Sequence, residues 1–202
     1  MPRDRNRLLE RARGIRALAL DVDGVLTDAS LLYGPGGDSL KAFSARDGFA
    51  IKLAQSEGID VAILTGRTAG SARSRVADLG IPARLAIHGS RDKRGDLAKL
   101  ARRLGADLAA VAYMGDDIPD LPALTTAGLA ACPADASEEV RRRCQFVAGA
   151  AGGHGAVREL IRFLLEARGR WSEIVDAWAT GAAAPAFFKT RPRAGGRGRF
   201  PG

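Results

Sequence analysis

The feature that most constrains this chain is a repeated unit: a short apolar run followed by a longer amphipathic stretch. Residues 15–22 and 59–64 read as buried strands, and 84–88, 111–114, 128–131 and 145–147 as shorter ones. Between and after them, 47–57, 69–79, 92–104, 118–126, 137–143 and 154–168 read as helices. Gly58, Gly80 and Gly105 each follow a helical run, where a residue with positive φ ends a helix at little cost. In the last helix Val157, Leu160, Ile161, Leu164 and Leu165 share one face. Such alternation predicts a doubly wound α/β domain, a parallel sheet covered by helices on both sides. Ligands of these sheets bind beyond the carboxyl ends of the strands. The chemistry is therefore expected in the loops just after the apolar runs.

One segment breaks the alternation. Residues 29–33, the turn Gly34-Pro35-Gly36-Gly37 and residues 38–43 read as a β-hairpin. It is too short to form a cap domain. With 202 residues, 46% of them apolar, one domain over 15–180 is expected. A basic N-terminal extension, 1–14, precedes it, and a flexible basic tail, 181–202, follows. No apolar run reaches the roughly 20 residues that cross a bilayer. The Arg-rich start loosely resembles a transit peptide, but Leu8, Leu9, Ala12 and Ile15 fit a short helix leading into the first strand equally well. Cys132 and Cys144 form neither a metal pattern nor a disulfide framework and read as core residues, in keeping with a cytoplasmic protein.

The net charge of +8 raises the question of nucleic acid. Its location argues against that. Residues 3–16 carry +4 and residues 186–202 carry +5, so the body between them is close to neutral. A charged tail is usually a solvated one, and binding through it alone would be weak and sensitive to salt.

Four motifs stand at predicted strand ends. Asp21-Val22-Asp23-Gly24 directly follows the first apolar run. Two acids at a buried strand end are costly unless a cation neutralises them, and hard oxygen ligands suit magnesium. An aspartate can also attack phosphorus. Read alone, the motif could be a solvated turn. Thr65-Gly66-Arg67 follows the second run, where a hydroxyl, a backbone amide and an arginine can hold phosphoryl oxygens. Gly115-Asp116-Asp117-Ile118-Pro119-Asp120 repeats the acidic pattern after 111–114. Asp116 could complete a metal site with Asp21, and Asp120 could orient the metal's waters. Lys93, after 84–88, would balance charge among the carboxylates.

The order of these motifs resembles the haloacid-dehalogenase superfamily of phosphatases, with its Rossmannoid fold. Arg46-Asp47-Gly48, Thr65-Gly66-Arg67 with Arg75, and Gly152-Gly153-His154-Gly155-Ala156-Val157-Arg158-Glu159 narrow the resemblance. They are similar to a capless subfamily acting on 3-deoxy-D-manno-octulosonate 8-phosphate and on related nine-carbon sugar-acid phosphates.

The resemblance implies roles. Asp21 becomes an aspartyl phosphate, and Asp23 protonates the leaving alkoxide and then activates water. Asp21, the Asp23 backbone carbonyl and Asp116 hold Mg2+, with Asp117 and Asp120 behind them. Thr65, Gly66 and Lys93 hold the phosphoryl group, and Arg46, Asp47, Gly48, Arg67 and Arg75 match positions that contact the sugar acid. The resemblance also implies a homotetramer whose neighbouring subunits wall the site, and a place in bacterial lipopolysaccharide synthesis. His154 stands where related sequences often carry Arg or Lys, and neutral imidazole binds anions less well. Competing readings are a nine-carbon acid such as N-acylneuraminate 9-phosphate, a silent scaffold or nucleic-acid binder, and a mutase. Both motif aspartates are present, which counts against a silent scaffold; a mutase generally needs a cap.

Overall fold

The computed structural model describes residues 2–34 and 39–182. Six parallel strands make the main sheet, in the order β5-β4-β1-β6-β7-β8. These are β1 (Ala17–Leu20), β4 (Asp60–Thr65), β5 (Ala86–His88), β6 (Val111–Met114), β7 (Leu129–Cys132) and β8 (Phe146–Val147). In β1, β6 and β7 every residue is buried, which requires cover on both faces. The cover comes from α1 (Pro2–Gly14), α2 (Ala45–Ser56), α3 (Gly70–Asp78), α4 (Lys93–Leu104), α5 (Leu121–Leu124), α6 (Glu138–Arg141), α7 (Ala156–Ala167) and α8 (Trp171–Ala179). The doubly wound α/β architecture read from the alternation is thus present.

The register decides where the chemistry can sit. Leu20, the last residue of β1, pairs with Ile63 of β4 and with Met114 of β6. The segments after those three strands therefore emerge side by side. From β1 the chain winds outward through β4 to β5, then crosses back to begin the other half at β6. Strand order thus reverses beside β1, where open α/β sheets form their ligand crevice.

Some boundaries differ from the sequence reading for local reasons. Ser44 caps α2, its hydroxyl accepting from Asp47 N at 3.2 Å, so the helix starts at Ala45. Gly153 and Gly155 have φ of 69° and 114°, which delays α7 to Ala156. The stretch 118–126 is a 3₁₀ turn, Ile118–Asp120, followed by the short α5; Pro119 and Pro122 lack the amide a longer helix would need.

Helix α8 has no counterpart in the sequence reading. Ile174 is its one buried residue, while Trp178 meets Phe49 edge to face at 5.2 Å. The N-terminal segment is helical and packs on α7, with Ala12 buried and Arg13 Nε donating to Ala167 O at 2.7 Å. Cys132 is buried, Cys144 half-buried, and both are free.

Strands β2 (Leu32–Tyr33) and β3 (Ser39–Leu40) pair antiparallel as the expected hairpin, while its turn, 35–38, lies outside the described residues. So does the basic tail from residue 183 onward. Among the described residues no helix is long and apolar enough to cross a membrane.

Candidate active site

Asp21 is the first residue after β1, and its amide still bonds across to Met114 O at 3.0 Å. That bond fixes the carboxylate at the sheet edge, next to the segment after β6. There Asp116 and Asp120 join it: one oxygen from each of the three carboxylates lies within 4.8 Å of the others. Lys93 comes from the first turn of α4 and is buried among them. Its ammonium donates to Asp21 Oδ2 at 2.8 Å and to Asp120 Oδ1 at 2.5 Å. The hydroxyl of the buried Tyr113 also donates to Asp120 Oδ1, and Asp116 N donates to its Oδ2 at 3.1 Å.

Two glycines make this closeness possible. Gly24 has φ of 75°, and a Cβ there would lie 2.0 Å from Asp116 Oδ2. A Cβ at Gly115 would lie 2.4 Å from Asp120 Cγ. Any side chain at either position would push the acids apart.

Above the cluster opens a cavity of about 490 Å³ lined by Asp21, Asp23, Thr65, Gly66, Arg67, Ser90, Arg91, Asp92, Lys93, Pro119 and Pro122. The buried Thr65 ends β4, and its hydroxyl accepts from Arg67 N at 3.3 Å. Ser90 N donates to Thr65 O at 3.0 Å, joining the loop after β5 to the loop after β4. Ser90, Arg91, Asp92, Tyr113 and Lys41 join the site without belonging to any of its sequence motifs. Only the first three had a usable signal, a polar run between a strand end and Lys93.

The charge balance shows what the cluster lacks. Burial, then the nearby Asp120, lifts Asp21 to about 6 against Lys93, which acts to lower it. Burial, then Asp120 and Asp21, lifts Asp116 to about 8. Burial works against the Lys93 charge, but Asp21 and Asp120 outweigh it and hold that pKa above its usual value. Three carboxylates thus share one ammonium. An all-oxygen donor set with surplus negative charge fits a hard divalent cation.

The free value of an aspartate is 3.8, and both Asp21 and Asp116 lie above it when folded. A carboxyl that holds its proton more tightly when folded loses stability as pH rises through that window, up to about 8 for Asp116. A cation that neutralises the ionised cluster removes the loss. Magnesium should therefore raise the melting temperature more at about pH 8.5 than at about pH 5.5. An equal effect at both, read by differential scanning fluorimetry, would contradict this.

Residues 41–128 match the family of haloacid dehalogenase-like hydrolases. The 3-deoxy-D-manno-octulosonate 8-phosphate phosphatase KdsC of Salmonella typhi is 41% identical over 169 residues, covering 82% of this chain and 87% of that protein. The chain belongs to the haloacid dehalogenase-like hydrolases. Within that family it is a phosphatase of the 3-deoxy-manno-octulosonate-8-phosphatase-like kind.

The Moraxella catarrhalis phosphatase of that name, solved with magnesium, phosphate and KDO, superposes with a TM-score of 0.82 at 34% identity, covering 86% of this chain and 98% of the other. The cobalt-bound Haemophilus influenzae phosphatase gives 0.78 at 38% identity, with 80% and 94% covered.

For a phosphatase of this family, the motif residues divide into two groups. Asp21, Asp23, Thr65, Gly66, Arg67 and Lys93 line the cavity, with Asp116 and Asp120 in the acidic cluster beside Asp21. Asp117 is exposed and caps the 3₁₀ turn, accepting from Ile118 N at 2.8 Å.

Arg46, Asp47, Gly48 and Arg75 do not line this cavity. Asp47 is buried and accepts from Gly155 N at 3.2 Å and Arg158 N at 2.8 Å, capping α7. Arg75 lies over Gly48, where a Cβ would be 2.2 Å from its Nη2. It donates to Ser44 O at 2.9 Å and to Asp78 at 2.7 Å, and rests on the Phe43 ring. Within one chain, Asp47, Gly48 and Arg75 thus tie α2 to α7 and α3. Arg46 is exposed and, with Asp28, Phe43 and His154, borders a separate hollow of about 400 Å³. His88 ends β5 with its Nδ1 buried and unpartnered among the described residues.

Proposed function

We propose that this phosphatase is magnesium-dependent and hydrolyses 3-deoxy-D-manno-octulosonate 8-phosphate through an aspartyl-phosphate intermediate. The observation that carries the reading is the Asp21–Asp116–Asp120 cluster with Lys93 at the floor of a basic-rimmed cavity. The named relatives point to the same substrate. An Asp21 carboxylate oxygen attacks phosphorus, and the bond from phosphorus to the sugar oxygen breaks. Asp23 gives that oxygen its proton. Asp23 then takes a proton from water, which cleaves the acyl phosphate and frees Asp21 and inorganic phosphate.

Thr65, the Gly66 amide and Lys93 hold the phosphoryl oxygens, whose charge is the main demand of such a transfer. Asp21, Asp116 and the Asp23 backbone carbonyl would hold Mg2+, with Asp120 beside them. When bound, magnesium neutralises the phosphoryl oxygens and keeps Asp21 ionised beside them. Arg67, at the cavity mouth, suits a substrate carboxylate.

Leu32, Tyr33 and Leu40 are exposed together on the hairpin. That apolar surface supports a homotetramer in which a neighbour's hairpin completes the open wall. The reaction would take place in the cytoplasm.

Phosphate release from the eight-carbon acid, N-acetylneuraminate 9-phosphate and hexose 6-phosphates tests the substrate, with light scattering for the assembly. A magnesium-dependent preference for the eight-carbon acid is expected. Preference for a nine-carbon or neutral ester would overturn the substrate assignment.

A further inference from the structure

Lys41 follows β3 directly, at the foot of the hairpin. Its side chain is buried, and its ammonium donates to Asp23 Oδ1. Among the described residues Asp23 is the partner it has. A buried ammonium without a carboxylate would be costly, so the pair is a constraint on both residues.

The backbone around Asp23 is already pinned. Leu26 N and Thr27 N both donate to Val22 O, at 2.9 and 3.1 Å, and Gly153 N donates to Val25 O at 3.0 Å. A Cβ at Gly152 would lie 1.9 Å from Gly24 O, so the loop has no room to shift on that side. What stays free is the Asp23 side chain, and its two oxygens meet different surroundings. Oδ1 is taken by Lys41, which does not line the cavity. Oδ2 lies 3.8 Å from Nε of Arg67, and Asp23 and Arg67 both line the cavity.

We propose that Lys41 is a positioning residue for Asp23: it occupies one carboxylate oxygen from behind and so presents the other to the leaving group. The short hairpin thereby acts on the chemistry of its own chain, apart from any contact with a neighbour. This rests on the reading that Asp23 handles the leaving-group proton. The physical demand is geometric, since a misplacement of about 1 Å can cost a proton transfer on the order of 100-fold.

The leaving group supplies the test. An alkoxide from a sugar needs a proton as it departs, whereas p-nitrophenolate is stable as an anion and leaves without one. The constant kcat/KM covers every step through departure of the alcohol or phenol. It should be measured for Lys41→Met, Lys41→Gln and Lys41→Arg in the full chain with magnesium.

The expected result for Lys41→Met and Lys41→Gln is a fall of roughly 10- to 100-fold with the sugar-acid phosphate. With p-nitrophenyl phosphate the change should stay within about threefold, and Lys41→Arg should recover most of the loss. Equal falls with both esters, or no fall with either, would overturn the proposal. Should the parent enzyme ignore the eight-carbon acid but hydrolyse hexose 6-phosphate, the substrate assignment fails. The comparison is then made on the hexose ester, which is equally an alkyl phosphate.

Discussion

Asp21→Asn loses phosphate release by on the order of 10⁴-fold or more while keeping its fold. The amide has nearly the shape of the carboxylate but no charge and no nucleophilic oxygen. Its carbonyl can still accept from Val22 N, which donates to Asp21 Oδ1 at 2.7 Å in the parent. The carboxylate removed stands in a cluster that burial and neighbouring acids already strain, lifting Asp21 to about 6. Loss of that charge relieves the strain, but the amide nitrogen then faces the Lys93 ammonium, donor against donor, where Oδ2 accepted at 2.8 Å; Lys93 keeps Asp120 as its acceptor. The two effects oppose, so the melting temperature in chelator should stay close to the parent's, while the gain on adding magnesium shrinks. Phosphate release within tenfold of the parent would end the covalent mechanism.

Lys93→Met should have the second largest effect, and through a different balance. Methionine fills similar space but leaves Asp21 and Asp120 without the ammonium that now lies 2.8 and 2.5 Å away. Removing one partner of a buried ion pair costs about 3 kcal/mol, less where the carboxyls can take up protons instead. The metal-free variant should therefore melt well below the parent near neutral pH and recover part of that loss in acid. Turnover should fall on the order of 10²- to 10³-fold, as for loss of one donor to a developing oxyanion. Because magnesium can replace some of the missing positive charge, it should raise the melting temperature of Lys93→Met more than that of the parent. Unchanged turnover, or a melting temperature insensitive to both pH and magnesium, would show that Lys93 does not hold the cluster together.

These two variants probe residues that the sequence itself marks, but for unlike reasons. Asp21 was legible because apolar run, acid pair and glycine are adjacent in the chain, and a strand that ends in DxDG has few other uses. Lys93 was legible only by its place in the order of motifs, since a lone lysine early in a helix is ordinarily solvated. The sheet makes the difference: β4 and β5 carry the chain outward from β1, and α4 returns Lys93 to within 2.8 Å of Asp21.

Lys41, Tyr113 and the Arg46-Asp47-Gly48 segment show where sequence reading stops. Lys41 and Asp23 are joined by a hairpin whose strands carry no charge pattern that pairs them. Tyr113 reads as one more apolar strand residue until its hydroxyl is seen on Asp120. Asp47 and Arg75 look the same in sequence whether their charges meet a ligand or a helix end. Only packing shows that Asp47 caps α7 and that Arg75 fills the space above Gly48.

The doubly wound sheet, and the strand ends at which acids, hydroxyl and lysine emerge, are written in the order of residues along the chain. Both depend on short-range hydrophobic periodicity and on residues adjacent in the chain. Which of those charges face one another is a property of the packed fold, because electrostatic partnership depends on distance in space. Here that distance is set by the register of β1 against β4 and β6 and by glycines that let the loops touch.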